Sequence, residues 1–268
     1  MRSPPALTEV PANILAISTA GPWCSVALSR RDAATLDVIE QQVGHAHASS
    51  ALPMIGALLE SAGVGLAAVD GVAFDAGPGG FTGLRIACAL AQGLAFGRGI
   101  RTLAVGSLAA LAHTTLSEDG DRARAATVVT AIDARMNECY VAVFAALPAG
   151  DDWRIEVIEP AQLCQLENVA EWFATVAAGS PAERSLIVAG DVLARSDALL
   201  AAASNAGALV RPGQRPVARA VAQLATSPDY LGDWLPAAQA RPIYVRSKVA
   251  LDVTEQRELR RRNAELRR

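Results

Sequence analysis

Gly77-Pro78-Gly79-Gly80-Phe81-Thr82-Gly83-Leu84-Arg85 stands between an apolar run, Gly71-Val72-Ala73-Phe74, and a small-residue helical pattern over 86–96. Four glycines in seven residues carry a large entropic cost unless the backbone turns sharply or approaches another group closely. Strand, glycine-rich turn and helix is also an arrangement that presents backbone N–H groups and a positive helix end to an anion. The stretch is therefore either a ligand cradle or a tight packing joint. It is not a Walker A loop, because no lysine follows and the glycine spacing differs. Nor is it a dinucleotide fingerprint, since Thr82 stands where a third glycine is needed. As a cradle it would bind a nucleotide or anion through Gly77, Gly79, Gly80, Thr82 and Gly83. As a joint it would start the following helix close against a sheet.

Upstream, 13–18 reads as a short buried strand, 23–29 as a second strand after the turn Thr19-Ala20-Gly21-Pro22, and 35–43 as a third. Leu52, Ile55, Leu58, Leu59 and Ala62 follow helical spacing over 48–62, with Pro53 in the first turns, where proline is tolerated. Downstream, 101–105 is a strand and Ser107 caps a helix to about 116. A polar stretch, 117–124, marks a boundary, and the pattern restarts. Strands are expected at 127–132, 139–145 and 153–158, a helix at 162–177, a strand at 185–190, helices at 194–203 and 217–225, and an extended piece at 243–245. Three strands, helix, strand, helix thus occurs twice. The division expected is a loose leader, 1–12, an N-terminal lobe, 13–116, a C-terminal lobe, 117–246, and a charged tail, 247–268.

Half of the 268 residues are hydrophobic (51%) and 4% are aromatic, so the core is built mainly from Ala, Leu, Val and Ile. A net charge of −3 argues against a broad nucleic-acid-binding surface. Lys248 is the sole lysine, which leaves no lysine-based catalysis upstream of it. Cys24, Cys88, Cys139 and Cys164 lie far apart in sequence and read as small core residues of a reducing compartment, not as a disulfide or zinc framework. No apolar run reaches the roughly 18 residues of a membrane span, and 1–10 lacks the apolar region of a signal peptide. The expectation is a soluble, cytoplasmic chain without a membrane partner.

Few residues carry a chemical signal. His45 and His47 have no third ligand at helical spacing, so no metal site is assigned. His113 lies in a helical pattern without an evident partner. Asp133 and Arg135 occupy one tight connection, where they either pair with each other or meet a ligand or partner; Asn137 suits a left-handed turn position. There is no G-x-S-x-G and no local serine or cysteine constellation, so no catalytic residue is named. A two-half chain without an active site points to a binding or regulatory subunit.

Several segments taken together resemble one family. Ile14-Leu15-Ala16-Ile17, Cys24-Ser25-Val26-Ala27-Leu28, His47 with Leu52-Pro53, and the glycine stretch through Arg85 are similar to the TsaB (YeaZ) family. Ala91-Gln92-Gly93-Leu94-Ala95, Ile132-Asp133-Ala134-Arg135-Met136 and Arg241-Pro242-Ile243-Tyr244-Val245-Arg246 continue the match in order. Over 147–235 only the pattern agrees. The resemblance implies an α/β, actin/Hsp70/sugar-kinase-like duplicated fold with two similar lobes. It implies a part in making threonylcarbamoyladenosine in tRNA, as a required, non-catalytic partner of the subunit TsaD, which carries the metal and the transferase site. An ATPase, TsaE, joins them, and the chain alone tends to form homodimers through the surface TsaD uses. Contact with tRNA would be indirect, and ATP or ADP would enter with the complex, no cofactor being firmly bound to this chain. There are departures: Ser18 replaces a first-strand Asp that helps hold metal–nucleotide in the superfamily, Ala76 replaces a frequent Arg, and Gly80 replaces Ser.

The resulting expectation is a scaffold whose helices at 48–62 and 83–97 bind the partner, through Leu52, Ile55, Leu59, Ala87, Ala91 and Leu94. Those same residues also suit packing on their own sheet, since one helix face cannot serve both. The arginine-rich segment 254–268 is expected to touch tRNA phosphates. The rival readings are an ATP-dependent small-molecule kinase of the same superfamily, against which Ser18 counts, and a peptidase, which lacks a metal or triad.

Overall fold

A computed structural model describes residues 7–31, 34–119 and 124–246; the expected tail, 247–268, and the first part of the leader lie outside them. The N-terminal half runs β1 (Asn13–Ser18), β2 (Trp23–Arg30), β3 (Thr35–Gln42), α1 (His47–Ser61), β4 (Gly71–Gly77), α2 (Phe81–Arg98), β5 (Arg101–Gly106) and α3 (Ser107–Asp119). The C-terminal half repeats it with β6 (Ala126–Arg135), β7 (Glu138–Ala149), β8 (Asp152–Gln165), α4 (Val169–Gly179), β9 (Ser185–Ala189), α5 (Asp197–Asn205), β10 (Leu209–Arg211) and α6 (Ala218–Thr226).

Sheet topology makes the duplication explicit. The first sheet is ordered β3-β2-β1-β4-β5, with a two-residue strand β11 (Leu235–Pro236) added beyond β5; the second is ordered β8-β7-β6-β9-β10. In both, the first three strands pair antiparallel and the last two add in parallel. Every parallel addition follows a helical crossover, as such pairs require. This is the actin/Hsp70/sugar-kinase-like duplicated architecture.

Strand alternation then sorts the core into layers. On β1, Leu15 and Ile17 face outward under α1 and α2, while Ile14 and Ala16 face the space between the two sheets. On β6, Val129 and Ala131 lie under α4 and α5, while Val128 faces inward. α3 and α6 fill that inner space, packing on each other and on the first sheet, with α3 also meeting β6, β7 and β8. Seven of their buried positions are alanine: Ala109, Ala110 and Ala112 on α3, Ala218, Ala220, Ala222 and Ala225 on α6. Small side chains let two sheets close on a pair of helices, which accounts for a large core with few aromatics.

Helix α6 belongs to the C-terminal half by sequence but packs on β1, β2 and β4 of the first sheet. Its first N–H, at Ala218, donates to Ser25 Oγ on β2 at 3.0 Å, and Ser25 in turn donates to Glu40 Oε1 on β3 at 2.9 Å. Glu40 also binds Arg215 at 2.8 Å, and the Arg215 guanidinium lies 4.2 Å over the Trp23 ring. The helix therefore has a cap borrowed from the opposite half, with a carboxylate behind it where the helix dipole favours negative charge.

Three expectations need correction. The helix over 162–177 gives way to strand as far as Gln165, because β7 is long enough to pair with Gln162–Gln165 after irregularities that carry β8 past Pro160, and the helix starts only at Val169. The helix over 194–203 begins at Asp197, where Ser196 Oγ accepts from Leu199 N. Residues 7–12 of the leader are tied down in part: Val10 is buried and its carbonyl accepts from Arg31 at 2.5 Å. Residues 243–245 cross between the halves without joining a sheet. Among the described residues no helix is long and apolar enough to cross a membrane.

Removing the borrowed cap tests this arrangement. Ser25→Ala should lower stability by about 0.5–2 kcal/mol in urea unfolding, and a chain of unchanged stability would show that α6 does not depend on it.

Candidate functional site

Between the halves lies a cleft of about 690 Å³. Its floor is the β1–β2 turn, Thr19 to Pro22; one wall is the start of α2, the other is the β6–β7 turn with Asp191, and residues 243–246 close one side.

The glycine stretch forms the first wall, and each of its glycines meets atoms of this chain. A Cβ on Gly83 would stand 1.8 Å from the Thr19 carbonyl oxygen; on Gly80, 3.0 Å from Ala20 O; on Gly79, 3.2 Å from Ala20 Cβ. Gly77 has φ +114° and faces Ile243 O and Leu84 at 2.8 Å. Two hydrogen bonds hold the joint: Thr19 Oγ1 donates to Gly83 O at 2.7 Å, and Gly80 N to Ala20 O at 3.0 Å. The peptide between Gly77 and Pro78 is cis. The helix thus starts in contact with the hairpin turn, and Phe81 and Thr82 are its exposed residues at the cleft. Contacts within the chain account for all four glycines without a ligand.

Below the joint sits Asp75, fully buried on β4. Ser18 Oγ donates to its Oδ2 at 2.9 Å, Ser107 Oγ to Oδ1, and Gly77 N to Oδ1 at 3.3 Å. Burial pushes its pKa up from the ordinary 3.8 to about 6, against the three hydrogen bonds that stabilise the charged form. One carboxylate therefore ties together the end of β1, the glycine turn and the start of α3. Ser18, at the end of the first strand, points into this cluster and not into the cleft. A lone acid inside the run Gly71–Ala76 was the sequence signal for this group.

On the opposite wall, Arg135, Met136 and Asn137 all have positive φ (64°, 54° and 61°). Met136 and Asn137 are the two central residues of a tight hairpin, whose twist requires that conformation. Asp133 pairs with Arg135 at 3.1 Å and with Arg195, and accepts from Arg135 N at 2.9 Å, while its own N–H donates to Asp191 at 2.8 Å. Asp133 and Arg135 thus pair with each other, and the Arg135 side chain remains 86% exposed at the cleft. From the third side, Ile243 N donates to Ala76 O at 2.8 Å, Tyr244 accepts from Arg85 at 3.1 Å, and Arg246 binds Glu138 and Ala134 O. This segment bridges the halves.

Of the six expected interface residues, Ile55, Leu59, Ala87 and Ala91 are buried against the first sheet. Only Leu52, 51% exposed, and Leu94, half-buried, present surface, because both helices spend their i, i+3, i+4 face on the core. His47 is buried and lines the cleft; its Nε2 has no hydrogen-bond partner among the described residues, while His45 is exposed. His113 does have a partner: Nε2 lies 2.8 Å from Asp152 Oδ1. Among the described residues no group of three or more His, Cys, Asp or Glu stands together as a metal site would need.

Two substitutions probe the joint. Gly83→Ala has no room beside the Thr19 carbonyl and should cost at least about 3 kcal/mol or prevent folding, with unchanged stability counting against the joint. The neutral form of Asp75 is the one that burial favours, so its contribution is complete below pH 3.8 and is lost as pH rises through about 6. Wild-type stability relative to Asp75→Asn should therefore fall between those limits, by up to about 1.4 kcal/mol per pH unit, and parallel pH profiles would refute the assignment.

Known proteins share this sequence and shape. Residues 37–210 match the family model described as TsaD: tRNA N6-adenosine threonylcarbamoyltransferase. The tRNA threonylcarbamoyladenosine biosynthesis protein TsaB of Haemophilus influenzae is 42% identical over 127 residues, which are 47% of this chain and 51% of that protein. The protein of the same name from Escherichia coli is 37% identical over 131 residues, 49% of this chain and 54% of that protein. The chain thus spans about half the length of the curated relatives it matches. Over both halves, the solved structure of YeaZ from Pseudomonas aeruginosa superposes with a TM-score of 0.69 at 31% identity, covering 87% of this chain and 99% of that one. A second Pseudomonas aeruginosa structure, described as an uncharacterized protein with similarity to peptidase YEAZ, gives 0.70 at 32% identity over 88% and 100%. With that coverage, and with the glycine joint, the Asp133–Arg135 turn and the 241–246 segment all in place, the chain belongs to the TsaB (YeaZ) family.

Proposed function

We propose that this chain is a non-catalytic subunit in the biosynthesis of threonylcarbamoyladenosine in tRNA, and that it binds and activates a TsaD-like catalytic subunit through the outer face of α1 and α2. The carrying observation is the character of that face. Leu52 and Phe96 are exposed, and among the described residues outside their own helix backbone Gly56, Gly93 and Gly97 have no atom within 4 Å of where a Cβ would stand. A glycine inside a helix costs about 1 kcal/mol relative to alanine, and nothing among the described residues requires these three. Ala89, Gly93 and Gly97 recur at intervals of four on α2, so they form one stripe. Glycines on an exposed stripe allow another helix to approach to backbone distance.

The relatives named for threonylcarbamoyladenosine biosynthesis support the pathway, and the self-filled glycine joint supports a subunit without chemistry of its own. The glycine joint is filled by the chain itself, and Ser18 is turned into the core toward Asp75, so no chemical step is assigned here. In isolation the same stripe would pair two copies of the chain. A TsaE-like ATPase and ATP or ADP would join at the level of the complex, where tRNA is met indirectly.

The test is co-purification with a TsaD homologue, followed by threonylcarbamoyl transfer to tRNA with and without this chain. Transfer should require it. Gly93→Leu and Leu52→Asp should weaken the complex by at least about tenfold, or 1.4 kcal/mol, while each variant chain alone keeps the wild-type circular dichroism spectrum. Full transfer by the homologue alone, or undiminished binding by both variants, would sink the proposal. ATP turnover by the purified chain would favour the kinase reading instead.

A further inference from the structure

Cys139 and Cys164, twenty-five residues apart in sequence, are direct partners across β7 and β8. The reading of four isolated core cysteines fails here, because β8 extends past Pro160 and carries Cys164 back alongside the start of β7. Opposed residues on antiparallel strands have Cα atoms about 4.5–5.5 Å apart, inside the roughly 4.4–6.8 Å range that a disulfide spans. The thiol of Cys139 points at its partner: Sγ donates to the Cys164 carbonyl at 3.6 Å. Cys164 Sγ donates to Gln165 O at 3.4 Å. Both thiols are free, Cys139 fully buried and Cys164 partly exposed. Cys24 on β2 and Cys88 on α2 sit in a different core cluster.

The setting links this pair to the cleft. The residues next to each cysteine are also opposed: Gln165 Nε2 donates to Glu138 Oε1 at 2.7 Å. Glu138 is the carboxylate that holds Arg246, the last described residue of the segment that bridges the halves. The thiols thus lie one residue from the Glu138–Gln165 pair that anchors that bridge, at the end of β7 that follows the Asp133–Asn137 turn.

We propose that Cys139 and Cys164 are a modification site: a hydroperoxide oxidises them to an intrachain cross-strand disulfide that fixes the register of β7 and β8 beneath Glu138. Cys164 loses its proton to solvent and its sulfur attacks one peroxide oxygen. The O–O bond breaks, and hydroxide leaves and is protonated to water, giving a sulfenic acid. Cys139 then loses its proton and its sulfur attacks Cys164 sulfur. The S–O bond breaks, and a second hydroxide leaves and becomes water. Two thiols and one hydroperoxide become one disulfide and two waters, or one water and one alcohol for an alkyl hydroperoxide; the sulfurs lose the two electrons that the peroxide gains. The order follows from exposure. Burial pushes the Cys139 thiol up to about 12, which leaves it a poor first nucleophile, whereas the more exposed Cys164 meets the oxidant. Burial raises the Cys164 thiol as well, so the reaction is slow at neutral pH and belongs to sustained oxidant exposure.

The experiment treats the full chain with hydrogen peroxide and then blocks the remaining thiols with iodoacetamide. It reads the intact mass and a non-reducing peptide map, before and after dithiothreitol. The expected product has lost two hydrogens, joins the peptides of Cys139 and Cys164, and is restored by the reductant. Cys164→Ser should abolish the link, while the Cys24→Ser/Cys88→Ser double variant should keep it, so a folding defect in one variant leaves the other readout intact. Linkage through Cys24 or Cys88, linkage between two chains, or irreversible oxidation of Cys164 with Cys139 still alkylated would each overturn the proposal.

Discussion

A contact with no spare volume sets the geometry of the whole N-terminal half. The Thr19 carbonyl oxygen occupies the place where any side chain on Gly83 would begin, so α2 starts in touch with the β1–β2 turn. Once that start is fixed, the direction of an eighteen-residue helix is fixed with it. So is the stripe it turns outward. Asp75 reinforces the same point from below by gathering Ser18, Ser107 and Gly77 N around one buried carboxylate. A glycine-rich loop of this kind is easily taken for a ligand site, because the signature of close approach is the same. Here the approaching group is the chain's own backbone.

How far the sequence revealed this depended on the range of the interactions involved. The doubled order of strands and helices was legible from periodicity, since alternation and i, i+4 spacing are local properties. So was the tight turn around Asp133 to Asn137. The glycine stretch could be narrowed to two readings but not resolved, because the deciding partner, Thr19, is 64 residues away. The same distance problem hid the Asp152 partner of His113, the Glu40 partner of Arg215 and the Cys139–Cys164 opposition. The helix expected over 162–177 failed because β7 offers a pairing edge beyond the bulges, and tertiary context overrides local preference. On α1 and α2, spacing found the apolar face, but that face is the buried one; the exposed faces carry glycines, which hydrophobic periodicity does not weigh.

The division of the molecule into two halves is clear in topology and blurred in packing. Each sheet has its own outer pair of helices, yet the inner layer is shared, and α6 sits on the sheet of the opposite half. The cleft is therefore bounded by elements that are braced across the join. Arg215, Ser25 and Glu40 brace one side, and residues 243–246 the other.

That shared layer bears on how the chain acquires its structure as it leaves the ribosome. The inner face of the first sheet, with Ile14, Ala16, Ala27 and Ala73, is covered in part by a helix that begins only at Ala218. An N-terminal half that has just been synthesised must carry an uncovered apolar surface until Ala218–Thr226 has emerged. Contacts between residues so distant in sequence form slowly, and exposed sheet surface invites association in the interval. The shared inner layer thus leaves part of the first sheet's inner face to be covered by α6, an element of the other half.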